Sequence, residues 1–470
     1  MQVSVTETQD IETMPPSMLV SATYDNNSKS AILKFYEPES QKLFLWKDNT
    51  NHKPYCYSRL APEELDFLQE REDVLEIKTV ERNDLTQDKK INMSKIVVAD
   101  PLAIGGTTGD KSIRNIIETW ESDIKYYENY LYDRKLIVGK YYEIKNKKII
   151  PHDLEISDEV KIALKSLLWD KVDSESIVDA KGFKEFISEW ADLLNQPIPK
   201  IKRLSVDIEV EAEIGRIPDP KVAEKKVTAI GLKGSNGFDQ IFVLKTEGTE
   251  QGVNELDPNI KVTLYDLDKE KQMIQDAFSI IKEFPFVVTY NGDEFDLPYL
   301  YNRAERLGVN NSENPLYMMR DSATLKQGVH LDLYRTLSNR SFQIYAFSQK
   351  YTDFSLNSVS KALLGKEKID YGLEFDELTL YQTANYCYND ALLTYELTSF
   401  NSDLLMNLLV IISRIGRMPI DDIARMGVSQ WIRSLLYYEH RHRDALIPKR
   451  EELQRRSEGV LSDAVIKDKK

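Results

Sequence analysis

Cysteine is almost missing from this chain, since only Cys56 and Cys387 occur, and two distant thiols exclude both a disulfide framework and a paired-thiolate metal site. A reducing compartment fits that usage. Long apolar runs are missing too: the most hydrophobic stretch, 404–412 (LLMNLLVII), is about half of the ~18 residues that span a bilayer, and it reads as a buried helix. No membrane partner is expected. The N-terminus lacks the basic start of a secretion signal, because residues 1–18 carry Glu7, Asp10 and Glu12 but no Lys or Arg. The expected location is cytoplasmic. An excess of positive charge is also absent, with 62 Lys and Arg against 77 Asp and Glu and a net charge of -15. Such a chain does not coat nucleic acid by bulk charge, although a local basic groove stays open. Neither an internal repeat nor a low-complexity tract is evident.

What is present is a soluble globular composition, 41% hydrophobic, 30% charged and 10% aromatic over 470 residues, or about three domains at ~150 residues each. In the first part, Leu19 to Tyr24, Ala31 to Tyr36 and Lys42 to Trp46 are short β-rich runs separated by the turn clusters 25–28 (DNNS) and 37–40 (EPES). They predict an antiparallel meander. Lys95 to Val98 reads as a further strand, and apolar spacing through Ile113, Ile116, Ile117, Trp120, Ile124 and Tyr127 predicts a helix from Ile113 to Tyr132. The loop 105–112 (GGTTGDKS) superficially resembles a phosphate-cradling loop. It has Asp110 where that motif needs glycine before the lysine, so it reads as a surface loop.

Pro197 and Pro199 mark a boundary, after which strands are predicted at Leu204 to Val210, Val227 to Leu232, Gln240 to Leu244, Phe286 to Tyr290 and Val329 to Leu333. Helices are predicted between and after them. One carries Met273, Ile274, Ala277, Phe278 and Ile281 on a single face; others cover Leu297 to Leu307, Leu356 to Leu364 behind an N-cap at Ser355, and Glu377 to Phe400. This order describes a mixed α/β sheet. The charged stretch from Arg450 to Lys470 is poor in apolar residues and reads as a frayed tail.

Three places carry carboxylates in a pattern suited to chemistry. Strand alternation turns Val206, Ile208 and Val210 to one face and leaves Asp207 and Glu209 together on the other. Like charges held that close call for a cation, and hard cations such as Mg²⁺ or Mn²⁺ favour oxygen ligands; a solvated strand face is the plain alternative. The second place follows the strand ending at Tyr290, where sites of open α/β sheets are built, and includes Asp293, Glu294 and Asp296. Asp296 is placed to cap the next helix, with Pro298 in its first turn. Third, Tyr386 and Asp390 are four apart on a predicted helix and share a face. Four acids and a tyrosine are what a two-metal phosphodiesterase requires, since two cations clamp the attacking and leaving oxygens.

Asp207-Ile208-Glu209, Tyr290-Asn291 with Phe295-Asp296 and Pro298-Tyr299, and Tyr386 with Asp390 resemble the three exonuclease motifs of family B DNA polymerases, in order and approximate spacing. His330-Leu331-Asp332-Leu333-Tyr334 and the segment 355–365 (SLNSVSKALLG) are similar to connecting segments of that domain. His52-Lys53-Pro54-Tyr55 and Asp100-Pro101-Leu102 look most like archaeal members. The resemblance covers the chain from about Met18 onward. It implies an RNase H-like exonuclease domain with a mixed sheet, at 195–400, inserted into a β-rich N-terminal domain at 1–194. A helical return follows at 401–443, then the start of a polymerase palm or a frayed tail at 444–470. The implied activity is 3′→5′ removal of mismatched nucleotides during DNA replication, with a two-metal site for Mg²⁺ or Mn²⁺. Asp207, Glu209 and Asp390 would ligate one metal, Asp207 would bridge to a second near Asp296, and Tyr386 would orient the attacking water. Asn291 and Phe295 would contact substrate, while the five histidines, His440 and His442 included, would have surface or DNA-backbone roles, and Asp293, Glu294 and Asp332 would be structural or support the ligands from behind rather than ligate.

The same resemblance implies a template-uracil pocket with Pro54 and Tyr55 in its wall and Val97 to Ile104 on another side. Lys200, Lys202, Arg203, Arg441, Arg443, Lys449 and Arg450 are candidate DNA-backbone contacts or plain surface charge. The implied partners are a single-stranded DNA 3′ end or primer-template, a C-terminal polymerase half and a sliding clamp, in a cytoplasmic, nucleoid-associated setting. The aspartate and Ser-Leu-Tyr-Pro-Ser-like string of a palm does not occur, so polymerisation is not expected of this chain alone. Rival readings are a stand-alone exonuclease of the same carboxylate type and a non-catalytic DNA-binding or scaffolding fragment.

Overall fold

A computed structural model describes residues 5–6, 11–106, 111–152, 159, 162–163, 166, 189–211, 217–319, 322–373 and 377–449. Residues 107–110 of the glycine-rich loop and the tail from Arg450 lie outside the described residues. Two units cluster by contact, one of Met1–Ser21, Lys34–Trp46 and Val138–Trp431, the other of Ala22–Leu33, Lys47–Ile137 and Ile432–Lys470.

Strands β2 (Thr13–Asp25), β3 (Ser30–Glu37) and β4 (Lys42–Lys47) extend the three predicted runs by a few residues, and an unpredicted short strand β1 (Val5–Thr6) pairs parallel to β4. Both turn clusters close through their acids, Asp25 accepting from the amides of Asn27 and Ser28, and Glu37 from those of Glu39 and Ser40. Strands β5 (Tyr55–Ser58), β6 (Val74–Asp84) and β7 (Lys89–Val98) make a separate antiparallel sheet in the order β5-β7-β6. The expected helix from Ile113 to Tyr132 is instead two, α1 (Ile113–Ile116) and α2 (Tyr126–Asp133). Between them Trp120 exchanges both backbone hydrogen bonds with Tyr57, and Glu121 takes φ +61°. Burial of the indole beside Tyr55, Tyr57 and Met93 overrides the helical spacing. Strands β8 (Tyr141–Lys145) and β9 (Lys148–Pro151) complete a six-stranded sheet ordered β1-β4-β3-β2-β8-β9.

After the two prolines come β10 (Arg203–Val210), β11 (Val227–Gly234), β12 (Phe238–Leu244), β13 (Lys261–Tyr265), helix α3 (Glu270–Ile281), β14 (Phe286–Thr289) and helix α4 (Asp296–Arg306). A small hairpin of β15 (Leu316–Met318) and β16 (Ala323–Leu325) precedes β17 (Val329–Asp332) and helix α5 (Leu333–Leu337). The second six-stranded sheet has the order β13-β12-β11-β10-β14-β17, antiparallel at β10/β11 and β11/β12 and parallel elsewhere. Asn236 and Gly237, both at positive φ, make the tight turn from β11 to β12. The edge strand β13 was not expected; its five residues alternate too briefly to stand out.

This sheet is mixed and covered on both faces, as an α/β exonuclease fold requires. On one face Val206, Ile208 and Val210 pack with the predicted apolar side of α3, whose Met273, Ile274, Ala277, Phe278 and Ile281 are all buried. Each such side chain contributes about 1.5–3 kcal/mol when fully buried. The other face receives Leu380, Ala384, Cys387 and Tyr388 of the long helix that begins at Leu380.

Helix α6 (Leu356–Leu364) begins as predicted, the Ser355 hydroxyl accepting from the Ser358 amide. Helix α7 (Leu380–Gly416) starts at a capping box of Thr379 and Gln382 and is interrupted at Phe400–Asp403, where three residues in a row take positive φ. The predicted end at Phe400 coincides with that break. Helices α8 (Ile420–Arg425) and α9 (Val428–His442) follow.

Candidate active site

Alternation along β10 does what the sequence requires: its apolar residues enter the core, and Asp207 and Glu209 emerge on the α7 face. Their cross-strand partners are Gly231 and Ala229, both small. A Cβ on Gly231 would stand 2.8 Å from the Cys387 carbonyl oxygen, so the missing side chain is what lets α7 lie directly on the sheet. That approach brings Asp390 to Asp207 and Glu209, and one ligand oxygen from each of the three lies within 4.8 Å of the others. Asp296 comes from the adjoining strand end. Its expected role as an N-cap is not observed, because it is the first helical residue of α4 and its Oδ1 accepts the Ile208 amide at 3.2 Å instead. The bond fastens α4 to the strand carrying Asp207.

Burial raises the pKa of all four carboxylates, and neighbouring acids add to it for Asp207, Glu209 and Asp296. Burial, then Asp390, Asp296 and Glu209, push Asp207 well above the ordinary aspartate range. Glu209 is pushed up to about 8 by burial and Asp390, and Asp296 to about 7 chiefly by burial. Burial raises Asp390 too, against the pull of Lys368. Two buried oxygens, Asp207 Oδ2 and Asp390 Oδ1, accept no hydrogen bond. Carboxylate oxygens left without a partner in such a cluster fit a hard divalent cation, which would supply the missing partner.

Lys368 was not singled out by sequence reasoning. Its ammonium lies 2.5 Å from Asp390 Oδ2 and 4.9 Å from the Tyr386 ring centroid. Burial opposes its charge, but Asp390 and the Tyr386 hydroxyl hold it protonated. Nothing local marks it out, since Lys361 and Lys366 sit in the same segment and pair with Glu367 and Glu396 on the surface. Tyr386 itself is four residues from Asp390 on α7, as expected, and is partly buried.

Asn291 takes φ +67° in the turn after β14, with its Oδ1 buried and accepting no hydrogen bond, and Phe295 is partly buried against Tyr299. Asp293, Glu294 and Asp332 are not among the gathered ligand oxygens: Asp293 binds Arg425 and His330, Glu294 binds Arg335, and Asp332 accepts backbone amides. The surface role expected of the histidines fails for His330, which is 0% exposed. It fails also for His52, whose Nε2 meets Asp133 at 2.8 Å.

Two expected DNA contacts are likewise internal. Arg203 is buried and bonded to Thr398, Asp403 and the Ile201 carbonyl; Arg441 is held by Glu121, Asn129 and Tyr55. Guanidinium groups buried and engaged by internal partners in this way do not reach a phosphate. Lys202 donates to the Glu283 carbonyl and Lys449 pairs with Glu118, whereas Lys200 and Arg443 are exposed. Pro54 and Tyr55 are both buried, and the Tyr55 hydroxyl donates to Asp133 at 2.8 Å, so their base-sensing role has the resemblance alone behind it.

A family profile described as DNA polymerase family B, exonuclease domain, matches residues 117–359. The chain belongs to DNA polymerase family B. It is 36% identical over 459 residues to DNA polymerase 1 of Aeropyrum pernix, covering 96% of this chain and 47% of that protein. With DNA polymerase 1 of Sulfolobus acidocaldarius it shares 35% over 457 residues, 96% of this chain and 50% of the relative. The solved family B DNA polymerase of the hyperthermophilic archaeon Pyrobaculum calidifontis has the same fold, with a TM-score of 0.59 at 17% identity, over 93% of this chain and 51% of that one. The family B chain thus spans about half the length of the curated relatives it matches. It is the archaeal-type N-terminal and exonuclease portion, as the motifs implied. No helix among the described residues is long and apolar enough to cross a membrane.

Proposed function

We propose that this chain is the 3′→5′ proofreading exonuclease of a family B replicative polymerase, hydrolysing the terminal phosphodiester of a DNA 3′ end with Mg²⁺ or Mn²⁺. The observation that carries the reading is the convergence of Asp207, Glu209 and Asp390 oxygens within 4.8 Å, two of the carboxylates having an oxygen without a hydrogen-bond partner. In this reading Asp207, Glu209 and Asp390 would hold one cation and Asp207 with Asp296 a second, and such cations would supply an activated nucleophile near neutral pH and offset charge on the scissile phosphate. The protein supplies the rest. Tyr386 orients the attacking water, Lys368 fixes the Asp390 carboxylate and the Tyr386 ring relative to each other, and Asn291 and Phe295 hold the terminal nucleotide. A C-terminal polymerase half would deliver mispaired primer ends, and a sliding clamp is the further partner of such an assembly.

The test is digestion of a single-stranded oligonucleotide, labelled at its 5′ end in one sample and its 3′ end in another, with Mg²⁺ or Mn²⁺. Stepwise shortening of the 5′-labelled strand by the wild type, lost in Asp207→Ala with DNA binding retained, is the expected outcome. A folded chain that binds DNA but leaves both strands intact supports the scaffold reading instead.

A further inference from the structure

The turn between β14 and α4 brings Asn291 and Asp296 to the site, and buried charges hold it from behind. Asn291 takes the left-handed conformation, and Gly292 has no room for a side chain, since a Cβ there would lie 2.2 Å from Thr289 Oγ1. Asp332, at the end of β17, accepts the Asn291 amide through Oδ1 at 2.9 Å and the Asp293 amide through Oδ2 at 3.0 Å. The Asp293 carboxylate is gripped by the Arg425 fork, Nε to Oδ2 at 2.8 Å and Nη2 to Oδ1 at 2.9 Å, with His330 Nδ1 at 3.2 Å. His330 is held in turn by Thr289, its Nε2 lying 2.8 Å from Oγ1. Residue 293 is therefore pinned at its amide and at its side chain.

Arg425 ends α8, beyond the last exonuclease motif in the chain. Its second function in the fold is to anchor this helix, through Nη1 to the Asp421 and His330 carbonyls. Two carboxylates, Asp293 in the turn and Asp332 at the end of β17, are buried at 3% and 0% exposure. Without the guanidinium they repel, and the turn is released to move. Asp296 lies three residues on, its helix starting from the Gly292 carbonyl, which accepts the Leu297 amide at 3.1 Å. Any shift of residue 293 is passed to the Asp296 carboxylate and to its bond with Ile208.

We infer that Arg425, acting through Asp293, is a positioning residue for the cation site at Asp296. The inference rests on the proposed two-metal reading, and it assigns Arg425 no contact with substrate or metal. The fork matters as much as the charge, because a lysine can satisfy only one carboxylate oxygen well.

The experiment is a Mn²⁺ titration of the whole chain followed by electron paramagnetic resonance, beside the Mn²⁺ dependence of oligonucleotide cleavage, for wild type, Arg425→Gln, Arg425→Lys and Asp293→Asn. Near-ultraviolet circular dichroism checks folding. Arg425→Gln is expected to keep the first Mn²⁺ equivalent and to weaken the second by roughly tenfold or more, the usual cost of losing an outer support. Arg425→Lys should fall between, and Asp293→Asn combined with Arg425→Gln should be no worse than Arg425→Gln alone. A folded Arg425→Gln with wild-type Mn²⁺ stoichiometry and half-saturation overturns the inference. Should that variant not fold, the near-isosteric Asp293→Asn carries the same comparison, and unchanged binding there overturns it equally. Wild-type chain that binds two Mn²⁺ ions yet cleaves nothing counts against the exonuclease reading, whereas the binding arm still decides the role of Arg425.

Discussion

Two groups of acids stand near the same end of the second sheet and have opposite electrostatic fates. Asp207, Glu209, Asp296 and Asp390 gather with Lys368 as the cation seated on Asp390; burial raises all four, and neighbouring acids add to it for Asp207, Glu209 and Asp296. Asp293, a neighbour in sequence of Asp296, is also penalised by burial, but Arg425 and His330 outweigh the penalty and hold it far below the ordinary range. The contrast separates the proposed cation site, which keeps oxygens without partners, from a joint closed by the chain's own charges. A structural cluster has its counter-charges supplied by the chain, and a binding cluster leaves oxygens unsatisfied.

The largest expected effect comes from breaking the unsatisfied group. Asp207→Ala should lower cleavage by ~10²–10³-fold, which is about 3–4 kcal/mol of lost transition-state stabilisation, read as single-turnover rate on an oligonucleotide. Retention of near-normal cleavage would remove β10 from the reaction. Next, Arg425→Gln should destabilise the fold by about 3–5 kcal/mol in urea titration, since it leaves Asp293 buried without its cation. A loss under 1 kcal/mol would show that the paired cluster is not closed in the way described.

Adding Mg²⁺ or Mn²⁺ sharpens the same comparison. At a hundredfold excess over the dissociation constant, metal should stabilise the wild type by about 2.7 kcal/mol, and an Asp207→Asn, Asp390→Asn double variant hardly at all. In chelator the pH response has a definite sign. Glu209 and Asp296 have folded values of about 8 and about 7, above their unfolded values, so the folded state retains protons that the unfolded state has lost. Their contribution is present at low pH and disappears as pH rises through ~4 to ~8, and saturating metal should flatten this fall. Asp293 runs the other way: its contribution is present above its unfolded value of ~3.9 and is lost as pH falls toward its depressed folded value. Thermal melts across that pH range, with and without metal, check both signs. The smallest effect belongs to Glu294→Ala. Its pair with Arg335 is about half exposed, so the change should cost no more than ~0.5 kcal/mol although the residue is adjacent to Asp293.

Much of the site was legible because two periodicities are local. The step of two in β10 and the step of four between Tyr386 and Asp390 fix which side chains share a face before any tertiary contact forms. Asp296 was found by its place after a strand, but its partner was misjudged, because the Ile208 amide comes from another strand. The helix expected through Trp120 failed for a related reason: pairing with Tyr57 is a long-range bond that no helical spacing reveals. Lys368 and Arg425 were missed because the features that select them from other cations are distances to Asp390 and Asp293, which sequence order does not contain.

The amino-acid sequence by itself determined the family, five of the six strands of the second sheet, and the five side chains of the proposed reaction, since periodicity and motif spacing are properties of neighbouring residues. Only tertiary structure decided which acids are left open and which are closed. That choice depends on where a cation from a distant segment comes to rest. Electrostatic pairing acts across space within a few ångströms, and the fold brings together residues as far apart in sequence as Asp293 and Arg425.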